Sequence, residues 1–295
     1  MKIKDLEYYQ ELVKYQNFSQ VANHFNVSQP TITMAIQRLE SDFGASFFIR
    51  DHAHKQLHIT PAGQQFSNHV NVILNELKIA QEEIARTQST RIRFGLPPII
   101  GNYYFPALTP SLMRADLMQK LDIYEHGSRE LLKMLEQGHL DIALLGSLDA
   151  LQQARLKTQE FAQYSFKIIV GNRNPLAQKK EVHFADLRGQ QFIMPGSEFF
   201  HEQAFKQMCH RAHFRPKVLF RTPDIHVIKA MVAENLGISF LTSLAIEPTD
   251  QVIALPITDK EQPSFRLSLA TRETEVLSTD KEKLWKILSQ KTFWF

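Results

Sequence analysis

The chain has 295 residues, of which 43% are apolar, 10% aromatic and 22% charged; this is the make-up of about two globular domains and excludes disordered and fibrous proteins. Thirty-four basic residues face 31 acidic ones, and the net charge of +3 is too small to announce a nucleic-acid ligand by itself. One cysteine, Cys209, excludes an intrachain disulfide and a thiolate metal cluster, while the lack of an apolar run of ~20 residues or of a hydrophobic leader makes a cytoplasmic location, away from membranes, the expectation.

The first predicted helix covers Asp5 to Gln16, where Leu6, Tyr9, Leu12 and Val13 recur at helical spacing before Asn17 breaks the run. A second short helix follows, with Val21, Ala22 and Phe25 on one face and Asn26-Val27 as a tight connection. Ser28 then supplies an N-cap and Pro30 a first-turn proline, and Ile32, Ile36 and Leu39 fix the buried face of a third helix. Its opposite face presents Gln29, Thr31, Thr33, Met34, Gln37 and Arg38, which are short polar groups suited to base edges in a major groove. A three-helix module with a solvated polar face is the alternative at this point. Phe47-Phe48-Ile49-Arg50 and Leu57-His58-Ile59-Thr60 flank a polar turn and predict a small β-ribbon.

Four segments, Phe18-Ser19-Gln20-Val21-Ala22, Val27-Ser28-Gln29-Pro30-Thr31-Ile32-Thr33, Ile36-Gln37-Arg38-Leu39-Glu40 and Ile59-Thr60-Pro61-Ala62-Gly63, resemble in order the winged helix-turn-helix of LysR-type transcriptional regulators. The resemblance extends over the whole chain. It implies DNA contacts from Ser28, Gln29, Pro30, Thr31, Thr33, Met34, Gln37 and Arg38 and, in the wing, from Arg50 and Lys55. Met34 and Ala35 stand where the family more often has long polar or basic side chains, and His52 and His54 where arginines are common.

Thr60 and Pro61 open a long helix in which Phe66, Val70, Ile73, Leu77, Ala80 and Ile84 alternate spacings of four and three, the a/d seam of nearly three heptads. An amphipathic helix packed on its own domain is the rival reading. The family implies a linker helix that pairs two subunits on a dyad-symmetric, double-stranded DNA site, in a homodimer or homotetramer.

From Arg91 onward short apolar strands alternate with helices: 91–96, 121–124, 141–145, 166–170, 191–194, 218–220 and 237–241, with helices such as 128–137 and 225–234 between them. This predicts α/β organisation with mostly parallel strands. The family implies a two-lobed fold like the periplasmic binding proteins. The expected domains are therefore a winged helix-turn-helix at 1–60, a linker at 61–88 and an effector domain at 89–295, with lobe I at 90–162 and 265–295 and lobe II at 163–264.

Ligands of open α/β sheets sit beyond the carboxyl ends of strands, against helix N-termini. The family places effector contacts at those loops, here Pro98, Ile99, Ile100 and Gly101, then Ser128, Ser197 and Thr222, and proximity to the loops offers His201 or Arg173 as sources of charge. An ordinary helix N-cap is the alternative for each hydroxyl taken alone. Ile99 stands where many members have a serine or threonine. The excess of four positive charges beyond residue 88 points to an anionic effector, and residues 4–33 look most like the branch of the family that controls malolactic fermentation in lactic acid bacteria, which implies L-malate.

A Gly-rich phosphate loop, a nucleophile elbow and HExxH are all missing, so an enzyme is not expected and no cofactor is implied. Cys209 and His213 offer too few ligands for a metal. The expected function is DNA-binding regulation by a small-molecule effector, as an activator that engages RNA polymerase. A repressor, a non-carboxylate effector and, more remotely, a solute-binding protein or an α/β enzyme are the alternatives.

Overall fold

The computed structural model describes residues 1–51, 56–86, 89–196 and 199–289. Contacts divide the chain into two units, 1–88 and 89–295. In the first, α1 (Ile3–Tyr15), α2 (Phe18–His24) and α3 (Gln29–Phe43) are followed by an antiparallel ribbon of β1 (Phe48–Asp51) and β2 (Gln56–Ile59), then by α4 (Pro61–Ala85). The starts and stops have local causes. The Asn17 side chain accepts from Ser19 and Gln20 N–H at the start of α2, Gly44 ends α3 in the left-handed conformation (φ 63°), and the Thr60 hydroxyl accepts from Gly63 N–H at the start of α4.

Leu6, Tyr9, Leu12, Val21, Ile32, Ile36, Leu39 and Phe47 form the core of this unit, and α4 closes it. Phe66 stacks on Phe47 at 4.4 Å between ring centroids and meets Tyr9 edge-on, and Val70 is fully buried in the same cluster. Phe66 and Val70, expected on the pairing seam, are thus spent on the unit's own core. The rest of the seam differs: Ile73 is 40% and Ile84 71% exposed, Ala80 is exposed and Leu77 half-buried.

Asp5 is buried on α1 and binds Arg38 of α3 through Nη2 at 2.6 Å and Nε at 3.3 Å. Burial opposes its ionisation, but the Arg38 guanidinium and the Lys2 N–H hold the carboxyl below the usual range. A folded pKa below the unfolded value of about 3.9 stabilises above that value, and the contribution disappears as pH falls through the folded pKa. Asp5→Asn should therefore lower the unfolding temperature at pH 7 and narrow its gap to wild type below pH 3, as read by calorimetry across pH.

In the second unit β3 (Ile92–Gly95) lies parallel between β4 (Leu121–Tyr124) and β5 (Ile142–Ser147). Next comes β11 (Ser264–Arg272), antiparallel both to β5 and to the first part of the long β6 (Leu156–Gly171). The second part of β6 pairs antiparallel with β9 (Ser239–Thr242) and β10 (Val252–Pro256), while β7 (Gln191–Met194) and β8 (Lys217–Arg221) run parallel. Two lobes result, with β6 entering the second and β11 returning to the first. The expected predominance of parallel strands is corrected: strands that carry the chain between the lobes, and those that pair with them, run antiparallel.

Helices α5 (Pro98–Tyr103) and α6 (Phe105–Arg114) follow β3, and α7 (Ser128–Glu136) follows β4. In the second lobe α8 (Phe200–Arg211) follows β7 and α9 (Ile225–Ala233) follows β8, and α10 (Thr279–Ser289) comes after β11. No helix among the described residues is long and apolar enough to cross a membrane.

Candidate DNA-reading face and effector cleft

The polar face of α3 is built by what its other face buries. With Ile32, Ala35, Ile36 and Leu39 in the core, Ser28, Gln29, Pro30, Thr31, Met34 and Gln37 are left exposed. Ala35, read from the sequence as a weak substitute on the DNA side, is a core residue at 0% exposure. Ser19 of α2 donates from Oγ to Gln29 Oε1 at 3.2 Å, which orients the carboxamide, and Met34 at 59% exposure offers apolar contact of the kind a thymine methyl takes.

Two of the expected readers are occupied internally. The Thr33 hydroxyl donates to the Gln29 carbonyl at 3.2 Å, and Arg38 is held by Asp5. In the ribbon Arg50 lies opposite Leu57. His52, His54 and Lys55 lie outside the described residues, as does Ser197 of the effector loops.

In the second unit, elements that follow the carboxyl ends of strands meet across the lobes: the Tyr103 ring of α5 lies 6.0 Å from that of His226 on α9, and Arg129 of α7 reaches Gln203 of α8. Ile99 and Ile100 are buried in the apolar core at 4% and 0% exposure, so their side chains are spent on packing, while Pro98 stays half-buried. Glu125 brings a carboxylate near Gly101. The Ser128 hydroxyl accepts from Gly146 N–H at 2.8 Å, which ties the start of α7 to the end of β5 and leaves the hydroxyl proton free to donate. Thr222 Oγ1 accepts from Asp224 N–H at 3.2 Å, next to the Asp224 side chain that caps α9. Thr222 is thus part of a capping turn.

His201 does not supply charge. It is 1% exposed, edge-on to Phe166, and burial pushes its pKa down to about 3. Its Nε2 accepts from Thr242 N–H at 3.3 Å, so the neutral ring carries its proton on Nδ1 as a donor. Arg173 pairs with Glu234 at 3.6 Å on an exposed surface. Thr242 Oγ1 and Ser239 Oγ are buried hydroxyls without a hydrogen-bond partner among the described residues.

Sequence reading missed two contacts that bridge the lobes. Lys229 of α9 binds Asp250 at 2.7 Å and the Ala245 carbonyl, with its ammonium 4.9 Å from the ring centroid of Tyr103 in the first lobe. Arg129 of α7 donates from Nη2 to Gln203 Oε1 at 3.0 Å and lies 5.1 Å from the Phe200 ring, both on α8. A separate cavity of about 250 Å³ near the crossing contains Arg211 and Arg266, already engaged by the Glu261 carbonyl and by Glu160. Among the described residues no group of three or more metal-ligating side chains occurs, and α8 ends at Arg211, before the left-handed His213, so Cys209 and His213 do not share a helix face.

These two units are those of a transcriptional regulator, and the chain belongs to the LysR family. Residues 3–64 match the bacterial regulatory helix-turn-helix of the lysR family, and residues 85–292 match the LysR substrate binding domain. The malolactic fermentation system transcriptional activator of Lactococcus lactis subsp. lactis is 32% identical over 289 residues, 98% of each chain. OxyR, a DNA-binding transcriptional dual regulator of Escherichia coli, is 28% identical over 96% of this chain and 93% of its own. Among solved structures HinK, a LysR family regulator of Pseudomonas aeruginosa, aligns with a TM-score of 0.57 at 18% identity, over 98% of this chain and 97% of that one. The matched family and these relatives are regulators of transcription, not enzymes.

Proposed function

We propose that this regulator activates genes of malolactic metabolism in response to L-malate bound between the lobes of its second unit. The observation that carries the reading is the 32% identity, along 98% of both chains, with the malolactic activator of Lactococcus lactis. The positive excess of the second unit agrees with an anionic ligand.

A peroxide response of the sort named in the hydrogen peroxide-inducible relatives is disfavoured by the thiol chemistry. Cys209 is buried, and its pKa is pushed up to about 12 by burial and by the Glu202 carboxylate. The reactive thiolate is therefore scarce at pH 7, and a single cysteine leaves no second thiol to resolve an oxidised one.

In this reading residues 1–60 read DNA through Ser28, Gln29, Pro30, Thr31, Met34 and Gln37, the exposed end of the 61–88 linker pairs two subunits, and residues 89–295 hold the effector. The regulator works in the cytoplasm as a homodimer or homotetramer and engages RNA polymerase at its promoter. Isothermal calorimetry of the full chain against L-malate, succinate, citrate and shikimate should show stoichiometric binding of L-malate in preference to the rest. Binding of another of these in its place overturns the effector assignment.

A further inference from the structure

Three cations of the second unit are matched to carboxylates within the protein. Arg221 binds Glu202 at 2.5 Å, Lys229 binds Asp250, and Arg266 binds Glu160. Arg129 is different. It stands in the first turn of α7, beside Ser128, and reaches across to a neutral amide and an aromatic ring on α8; among the described residues no carboxylate pairs with it.

Two independent features belong to the turn of α8 that Arg129 reaches. Helix α8 begins after Phe199, which offers no side-chain cap; the Glu202 N–H is bonded to the Phe199 carbonyl, and among the described residues no side chain accepts from the Phe200 or His201 N–H. Thr242, whose own N–H is bonded to His201 of that turn, carries a fully buried hydroxyl with no partner among the described residues. A buried unpaired hydroxyl is costly, and an ordered water or a ligand acceptor relieves that cost.

We propose that Arg129 is the residue that reads the effector's carboxylate, on a seat completed by the open first turn of α8 and the buried Thr242 hydroxyl. This rests on the carboxylate effector proposed above. Among the described residues Arg129 Nε and Nη1 make no hydrogen bond, and a guanidinium edge matches a carboxylate with two parallel charge-assisted hydrogen bonds. A carboxylate held by α7 of one lobe and α8 of the other favours the arrangement in which the lobes are closed, the differential contact an allosteric ligand requires.

The test is calorimetric titration of the full chain with L-malate, succinate, citrate and the uncharged diamide of malate, using wild type, Arg129→Gln, Arg129→Lys and Thr242→Val. Arg129→Gln should weaken carboxylate binding by ~30-fold or more, and Arg129→Lys by less because it keeps the charge and loses the fork. Thr242→Val should weaken binding by about 5- to 10-fold while leaving the unfolding temperature unchanged or raised, since the hydroxyl it removes has no partner. Binding of the diamide should not depend on Arg129. Wild-type affinity in Arg129→Gln overturns the proposal. If wild type takes succinate or citrate but not malate, and Arg129→Gln abolishes that binding, the proposal stands and the malate assignment falls. If wild type binds no carboxylate, both fall.

Discussion

Replacing Leu77 and Ile84 together by glutamate should turn the protein into a monomer at micromolar concentration and weaken its hold on a dyad site by about 10²- to 10⁴-fold, the usual worth of tethering two weak heads. Ile84 is 71% exposed and Leu77 half-buried on the stretch of α4 beyond the core of the first unit, so the substitutions leave that core untouched. Placing carboxylates face to face on a pairing seam sets like charges in a desolvated contact. Affinity for a single half-site should stay at the wild-type level, because α3 is unaltered. Light scattering reads the mass and anisotropy the two affinities. A dimeric variant with undiminished affinity would assign pairing to another surface.

The second large effect is expected at Gly63. A Cβ built there lies 2.4 Å from the Phe47 carbonyl oxygen and 2.8 Å from Ile59 Cγ1, and the Gly63 carbonyl also accepts the Tyr9 hydroxyl at 2.7 Å. The obstruction is backbone, so it cannot rotate aside. Gly63→Ala must push the start of α4 away from β1 and from the core that Phe66 fills. A cost of about 2–3 kcal/mol, the upper part of the range for overpacking, should lower the unfolding temperature of the first unit by roughly 10–20 °C. Gly44→Ala, where φ is 63° and nothing lies within 4 Å, bears only the left-handed penalty of about 1 kcal/mol and should shift it much less. Calorimetry of the full-length variants checks the ranking.

The helical half of the fold is readable in the sequence because its signals are local. Ser28, Pro30 and Thr60-Pro61 mark helix starts, and the 3.6-residue rhythm of Ile32, Ile36 and Leu39 fixes which face of α3 is turned out. The crossings between lobes were harder to read. Only the apolar end of β6, Phe166 to Val170, stands out, while its first half carries Lys157, Gln159 and Glu160 and takes its place through pairing with β11, more than a hundred residues away. The alternation of Phe265, Leu267 and Leu269 that marks β11 is visible in hindsight, as an antiparallel strand paired on both sides.

At the expected cleft, proximity in sequence misjudged the roles of several side chains. Ile99 and Ile100 look available until their burial is seen, and His201 looks like a charge until desolvation makes it neutral. Arg129, followed by Glu130 in the first turn of an amphipathic helix, reads as a solvated pair; only the fold shows that it reaches Gln203, 74 residues on. The seam of α4 shows the same limit, since one heptad pattern serves the unit's own core at Phe66 and Val70 and leaves an apolar surface from Ile73 onward.

Fluorescence anisotropy of the full chain on the promoter DNA of its own gene and of the neighbouring gene, at fixed salt with and without L-malate, tests the central claim most directly. The account predicts specific binding to a dyad site that L-malate alters by about 5- to 150-fold, the reach of a typical allosteric coupling. Specific binding that is indifferent to L-malate would contradict the malate-controlled regulator proposed here.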